Sequence, residues 1–234
     1  MKRSLRLLVI IITNYSLLIT HYSCTQDGYE KGDGVYSYMQ GDFVEAQVDA
    51  SMKIVSLTTD DGVTMPLTQP YAARWITKAD TLYRCMLYYN KVKDDQGHTA
   101  AEIISISPVP CASLVSLSKF QSKRELKTDP VKLQSIWMSK SGKYLNMYLQ
   151  LMIGNPDDTT AVQQIAIVCD TVLTYPDSTR TCSIILHHDQ NRQPEYYSTD
   201  AWLSVPVSDQ PVDSFRLSVN TYSGPVVKTL PFRK

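Results

Sequence analysis

The stretch Val131–Gly154, VKLQSIWMSKSGKYLNMYLQLMIG, decides how the chain is read. In its second arm Leu145, Met147, Leu149, Leu151 and Ile153 alternate with Tyr144, Asn146, Tyr148 and Gln150. Successive strand side chains point to opposite faces, so a period of two predicts a half-buried strand with one apolar face. The first arm, Val131–Ser139, is apolar and strand-like. Between the arms, Lys140-Ser141-Gly142 supplies a tight turn in which glycine takes positive φ at no steric cost. The result is a long β-hairpin whose apolar face needs a second sheet to cover it.

Five further strand candidates follow the hairpin: Val162–Val172, Arg180–His188, Ala201–Val207, Ser214–Thr221 and Val226–Phe232. The clusters Asn155-Pro156-Asp157-Asp158 and Tyr175-Pro176-Asp177-Ser178 read as turns. Short strands at this spacing, with no amphipathic helix among them, predict an immunoglobulin-like β-sandwich over residues 131–234, with Trp137 and Trp202 as core or edge residues.

Upstream, residues 35–110 predict a second all-β domain. Val35–Asp49 carries Gly41 near its middle, a natural place for a bend or bulge. Met52–Thr58 turns through Thr59-Asp60-Asp61-Gly62 into Val63–Leu67. After an irregular segment, with room for one helical turn around Ala72–Ile76, Thr81–Val92 turns through Asp94-Asp95-Gln96-Gly97 into Ala100–Ser107. Three strands, an interruption and two strands is the order of an OB-like Greek-key barrel, although a generic small barrel fits the same pattern. Pro108 and Pro110 stop the last strand. Residues 111–130 read as a linker whose Lys119, Lys123, Arg124 and Lys127 form a solvated basic face rather than a phosphate site.

The amino terminus speaks to address. Lys2, Arg3 and Arg6 precede the apolar runs Leu7–Ile12 and Leu17–Ile19, so residues 1–23 read as an export signal, the alternative being an uncleaved anchor helix. Cys24 follows Ser23 where a lipoprotein signal peptidase would leave a lipidated cysteine; ordinary secretory cleavage with a spare thiol is the competing reading. Residues 24–34, polar and glycine-bearing, suit a tether. The expected location is therefore the cell envelope, on a membrane anchored through lipid. Loss of the signal turns a formal charge of zero into −3, which disfavours nonspecific nucleic-acid binding.

Of the remaining cysteines, Cys169 and Cys182 lie symmetrically about Tyr175-Pro176, where a hairpin would set them opposite each other. An exported chain permits a disulfide there, worth on the order of 3 kcal/mol for a loop of about 14 residues; two buried free thiols are equally compatible. Cys85 and Cys111 form no CxxC motif with any other cysteine, and no metal site is expected.

The serine-hydrolase elbow, Walker loop, dinucleotide glycine pattern and HExxH helix are all absent, so no reaction and no cofactor is expected. His187-His188-Asp189 is the one tempting group, but neighbouring strand residues face opposite ways, and a strand end facing solvent is the plainer expectation. What remains is tyrosine, 15 in the chain. Tyr88, Tyr148, Tyr196, Tyr197 and Trp202 are the candidate binding aromatics, since each couples an apolar ring to a polar tip, although strand propensity alone also collects tyrosine. The expected partner is a protein, peptide or glycan met outside the cytoplasm.

IWMSKSGKYLNMYLQLMIG (136–154), IILHHDQNRQPEYYSTDAWLSVPV (184–207) and FRLSVNTYSG (215–224) resemble the carboxy-terminal domain of the NigD-like lipoproteins of Bacteroidota. GDGVYSYMQGDFVEAQV (32–48) and SLTTDDGVTMPL (56–67) are similar to that family's preceding domain. The resemblance implies an OB-like domain before a β-sandwich, exported behind a lipobox, and a role of the bacteriocin-immunity kind. It carries over no catalytic residue. His21-Tyr22 ahead of Ser23-Cys24 departs from the family's usual lipobox.

Overall fold

The hairpin forms as the alternation requires. In a computed structural model that describes residues 34, 36–94, 96–155 and 162–232, β7 (Lys132–Met138) pairs antiparallel with β8 (Tyr144–Ile153), and Gly142 turns the chain at φ +70°. β11 (Tyr197–Pro206) flanks β8 on its other side, which completes a three-stranded sheet in the order β11-β8-β7. Leu145, Met147 and Leu149 are fully buried on its inner face.

The covering sheet has five strands in the order β13-β12-β10-β9-β6. These are β6 (Leu114–Ser116), β9 (Gln164–Thr174), β10 (Arg180–Asp189), β12 (Ser214–Thr221) and β13 (Gly224–Pro231). Ile184, Phe215 and Leu217 from this sheet meet Met147, Leu149 and Val205 from the other in one apolar core. Truncating a side chain such as Leu149 to alanine there costs about 2–5 kcal/mol. Two pairs in this sheet, β10 with β12 and β6 with β9, run parallel.

The first five strands close into a barrel in the order β1-β2-β3-β5-β4. They are β1 (Gln40–Val48), β2 (Ile54–Thr59), β3 (Thr64–Tyr71), β4 (Leu82–Lys93) and β5 (Thr99–Pro108), around Val44, Ile54, Leu57, Leu87 and Tyr89. The fold is thus an OB-like barrel followed by a β-sandwich, both within the compact unit Met39–Lys234.

Four expectations change. The irregularity in β1 falls between Gln47 and Val48, not at Gly41. Gly41 keeps regular register opposite Tyr88, and a Cβ there would stand 3.1 Å from the Tyr88 ring, so close approach selects the glycine. β3 runs on to Tyr71, and only a single hydrogen-bonded turn from Ile76 to Ala73 follows it. Within the stretch read as linker, β6 joins the larger sheet, and a short helix, α1 (Leu117–Gln121), plants Phe120 against His187 with ring centroids 4.6 Å apart. Lys119, Lys123, Arg124 and Lys127 are exposed, as a solvated face requires, but reading the stretch as a linker misses a contact that covers the sheet. It also buries the histidines. His187 and His188 are both 1% exposed, where a solvent-facing strand end was expected. They do point opposite ways: His187 Nδ1 accepts from the Lys127 N–H, while His188 meets the Asp129 carbonyl and Gln163.

Candidate functional site

The outer face of the three-stranded sheet carries Tyr144, Asn146, Tyr148 and Gln150 of β8, opposite Pro206, Ser204, Trp202 and Asp200 of β11. Alternation places these eight residues away from the core, and half-exposed polar strands are the ordinary expectation. The barrel changes that. It sits on the end of this face, so Asn146 and Ser204 have no exposed surface at all.

The contact is built around Arg84, on β4. Its Nη1 lies 2.7 Å from Asp60 Oδ1 and its Nη2 donates to Asp60 Oδ2 at 2.8 Å. Nη2 also reaches Asn146 Oδ1 at 3.1 Å, and Nε donates to Ser204 Oγ at 3.1 Å. Asn146 Nδ2 donates to Asp60 Oδ2 and Ser204 Oγ to Asn146 Oδ1, at 2.8 and 2.7 Å. The guanidinium also lies over the Tyr144 ring, 4.1 Å from its centroid. A buried charge is tolerated only when paired and hydrogen-bonded, and here barrel and sandwich each supply part of the pairing. The hairpin turns bind the same junction from outside. The Ser141 N–H donates to the Asp60 carbonyl at 2.8 Å, and Lys140 pairs with Asp61.

A second group flanks the node. Glu45 accepts from Lys143 Nζ at 2.8 Å and from Tyr144 Oη at 2.9 Å. Burial would raise the Glu45 carboxyl, but these two hydrogen bonds outweigh it and hold the group below the usual carboxylate range. Burial and the bond to Glu45 push the Tyr144 phenol upward in turn. Phe43 seals the edge, its ring 5.4 Å from Trp137 and 5.6 Å from Trp202.

Beyond the barrel the same face opens into a shelf. Tyr148 stacks on Trp202 with centroids 4.0 Å apart and planes 13° from parallel. Tyr148 Oη donates to Asp200 Oδ1 at 2.8 Å, Gln150 Nε2 donates to the same oxygen at 3.0 Å, and Gln134 Nε2 donates to Gln150 Oε1 at 3.1 Å. The bond to Asp200 and some desolvation raise the Tyr148 phenol, and Tyr88 on the barrel stands near enough to add a smaller push of its own. Rings, a carboxylate and two amides are therefore held in fixed relation on a rigid sheet.

Of the candidate aromatics, the structure brings Tyr88, Tyr148 and Trp202 to this junction. Tyr196 and Tyr197 lie at the far end of β11, where Tyr197 pairs with Ile153 on the opposite face from Trp202. Cys169 and Cys182 are free thiols with sulfurs 3.1 Å apart. They are not directly opposite, since Cys169 pairs with Ile184 and Cys182 with Val172. An irregularity between Ser183 and Ile184 brings them together on the diagonal. Burial, then the neighbouring thiol, pushes Cys182 up to about 12. Cys24 and the export signal lie outside the described residues, and among those residues no helix is long and apolar enough to cross a membrane. Sequence reasoning missed Arg84, Asp60, Asn146 and Ser204 as a group. The one available signal was a lone arginine in the otherwise apolar and tyrosine-rich run LYRCMLYY.

None of the curated proteins matches the chain. Among solved structures it is similar to a NigD-like immunity protein from Bacteroides caccae, at 24% identity and a TM-score of 0.63, over 81% of this chain and 91% of that one. It is also similar to a protein named as a lipoprotein from Bacteroides fragilis, at 9% identity and a TM-score of 0.61, over 84% and 99%. A toxin-related protein, as it is named, from Parabacteroides distasonis aligns at 16% identity and a TM-score of 0.59, over 83% and 93%. At these identities the likeness concerns the fold. Residues 113–230 match the family described as the NigD-like C-terminal beta sandwich domain. With half of its length under that match, the chain belongs to the NigD-like family.

Proposed function

We propose that this protein is an exported module, lipid-anchored through Cys24, that works by binding a carbohydrate and carries out no reaction. The observation that supports this most is the shelf: the Tyr148–Trp202 stack beside Asp200, Gln150 and Gln134. A pyranose offers an apolar C–H face and rigidly spaced hydroxyls. Aromatic rings take the first, and pre-positioned carboxylate and amide groups take the second at little ordering cost. Asp200 Oδ1 is occupied by Tyr148 and Gln150, which leaves Oδ2 available as an acceptor. The polar groups that do converge deeply, around Arg84, are engaged with one another and buried away from solvent, which supports binding over catalysis.

An immunity role, with a toxin as the partner, is the second reading. It is favoured by the family and by the name given to the Bacteroides caccae relative. A glycan microarray probed with the soluble chain and with Tyr148→Ala separates the two. Retention of defined glycans by the parent and not the variant supports the carbohydrate. An empty array, with protection of cells against a toxin encoded nearby, supports immunity.

A further inference from the structure

The sandwich has an open side where the edge strands of its two sheets, β7 and β13, face each other without pairing. Between them runs a groove of about 620 Å³, continued past Ile136 and Leu230 by a further 390 Å³. Leu133, Ile136 and Leu230 line it and pack against the sandwich core.

The two edges are not equivalent. On β13 the Phe232 N–H bonds across to Asp213, on the β12 side, so by alternation Val226, Lys228 and Leu230 also turn their main-chain groups inward to β12. The outward set is then Pro225, Val227, Thr229 and Pro231, with a proline at each end that has no N–H to give. That edge is blunted. On β7 the Ser139 N–H bonds to Tyr144 of β8, so the amides of Ile136 and Met138 point into the open groove, and no proline interrupts Lys132–Met138.

Charge completes the picture. Lys228 pairs with buried Leu217 and therefore stands on the groove side of β13, where it remains exposed. It lines the groove with no ion-pair or hydrogen-bond partner among the described residues. Among the described residues the other cations along the groove, Lys132 and Lys140, are engaged by Ser198 and Asp61, and no acidic side chain lines it. A groove-side lysine on an edge strand repels a second copy of the same edge, since it would set lysine against lysine. It leaves an attractive site for one kind of strand.

We propose that this groove binds an extended acidic peptide, which adds as a strand to the β7 edge. The peptide seats apolar side chains over Leu133, Ile136 and Leu230 and sets a carboxylate on Lys228. Main-chain pairing supplies affinity in such a mode, and the side-chain pockets supply selection. The surface lies apart from the Tyr148 shelf, so either can stand without the other.

The probes are two fluorescein-labelled heptapeptides, one alternating glutamate with isoleucine and one alternating lysine with isoleucine, titrated by fluorescence anisotropy. The soluble parent chain should bind the glutamate peptide at least tenfold more tightly than the lysine peptide. Lys228→Glu should reverse that order. Lys123→Glu, a surface charge elsewhere, and Tyr148→Ala should leave it unchanged. Absence of binding to either peptide would overturn the proposal, as would a preference that survives Lys228→Glu. So would a concentration-dependent dimer, in sedimentation, that the glutamate peptide does not dissociate.

Discussion

Asp60 Oδ1 stands 2.7 Å from Arg84 Nη1, the carboxylate in the β2–β3 turn and the arginine on β4 of the barrel, yet the pair is completed by Asn146 and Ser204 of the sandwich. The junction takes both charges out of water, so in the folded chain they must be satisfied by each other and by groups of the sandwich. Barrel and sandwich are therefore coupled through a buried charge whose partners come from both. Asp60→Ala leaves the guanidinium buried without its counter-ion, and breaking such a pair costs about 3–5 kcal/mol. A fall of that size in urea-unfolding free energy, for barrel and sandwich together, is the expected result. A change within about 0.5 kcal/mol, the range of ordinary surface substitutions, would remove the node from the account.

The buried imidazole of His187 predicts a pH dependence. Burial lowers its pKa below the ordinary 6.5, and its Nδ1 already accepts from the Lys127 N–H. Its neighbours include Asp189, Arg124 and His188. With a folded pKa below the unfolded one, the unfolded chain binds the extra proton first. The contribution is then fully present above about pH 6.5 and is lost as pH falls from there through the folded pKa. Urea midpoints from pH 7.5 to 5 should decline in the parent and decline less in His187→Phe. Parallel curves would contradict the assignment.

Cys169 and Cys182 are placed for oxidation. Treatment with glutathione disulfide should convert both thiols to one intramolecular disulfide and release two equivalents of glutathione. Mass spectrometry should find the loss of two titratable thiols, absent in Cys169→Ser. The bridged form should gain roughly 3 kcal/mol, as expected for closing a loop of this length. Persistence of both thiols after prolonged oxidation would show that the strand geometry resists the bond.

The lipid is tested at Cys24. Cells fed labelled palmitate should incorporate label into the parent protein and none into Cys24→Ala. An unlabelled parent would remove the anchor from the functional reading.

Much of this architecture could be read from residues in order. The alternation in β8 announces its two faces, and the turn clusters announce the hairpins, because both are local consequences of strand geometry. Even the order of strands in the barrel follows from one interruption between β3 and β4. What could not be read is what covers a face. Asn146 alternates as an outward residue and does point outward, but the barrel lies on it, and that contact joins residues 62 apart in the chain to Arg84. His187 and His188 look like an exposed strand end until α1 and Lys127–Asp129 pass over them. Tyr148 and Trp202 stack because β8 and β11 are neighbours, although the two residues stand 54 positions apart in sequence, with β9 and β10 between them. Long-range contacts of this kind leave almost no trace in composition or periodicity.

The shelf is the centre of the functional reading, and isothermal titration of an array-identified glycan tests it most directly. The parent should bind, Tyr148→Ala and Asp200→Ala should each weaken binding at least tenfold, and Tyr197→Ala, on the opposite face, should bind like the parent. Equal affinity in the parent, Tyr148→Ala and Asp200→Ala would contradict it.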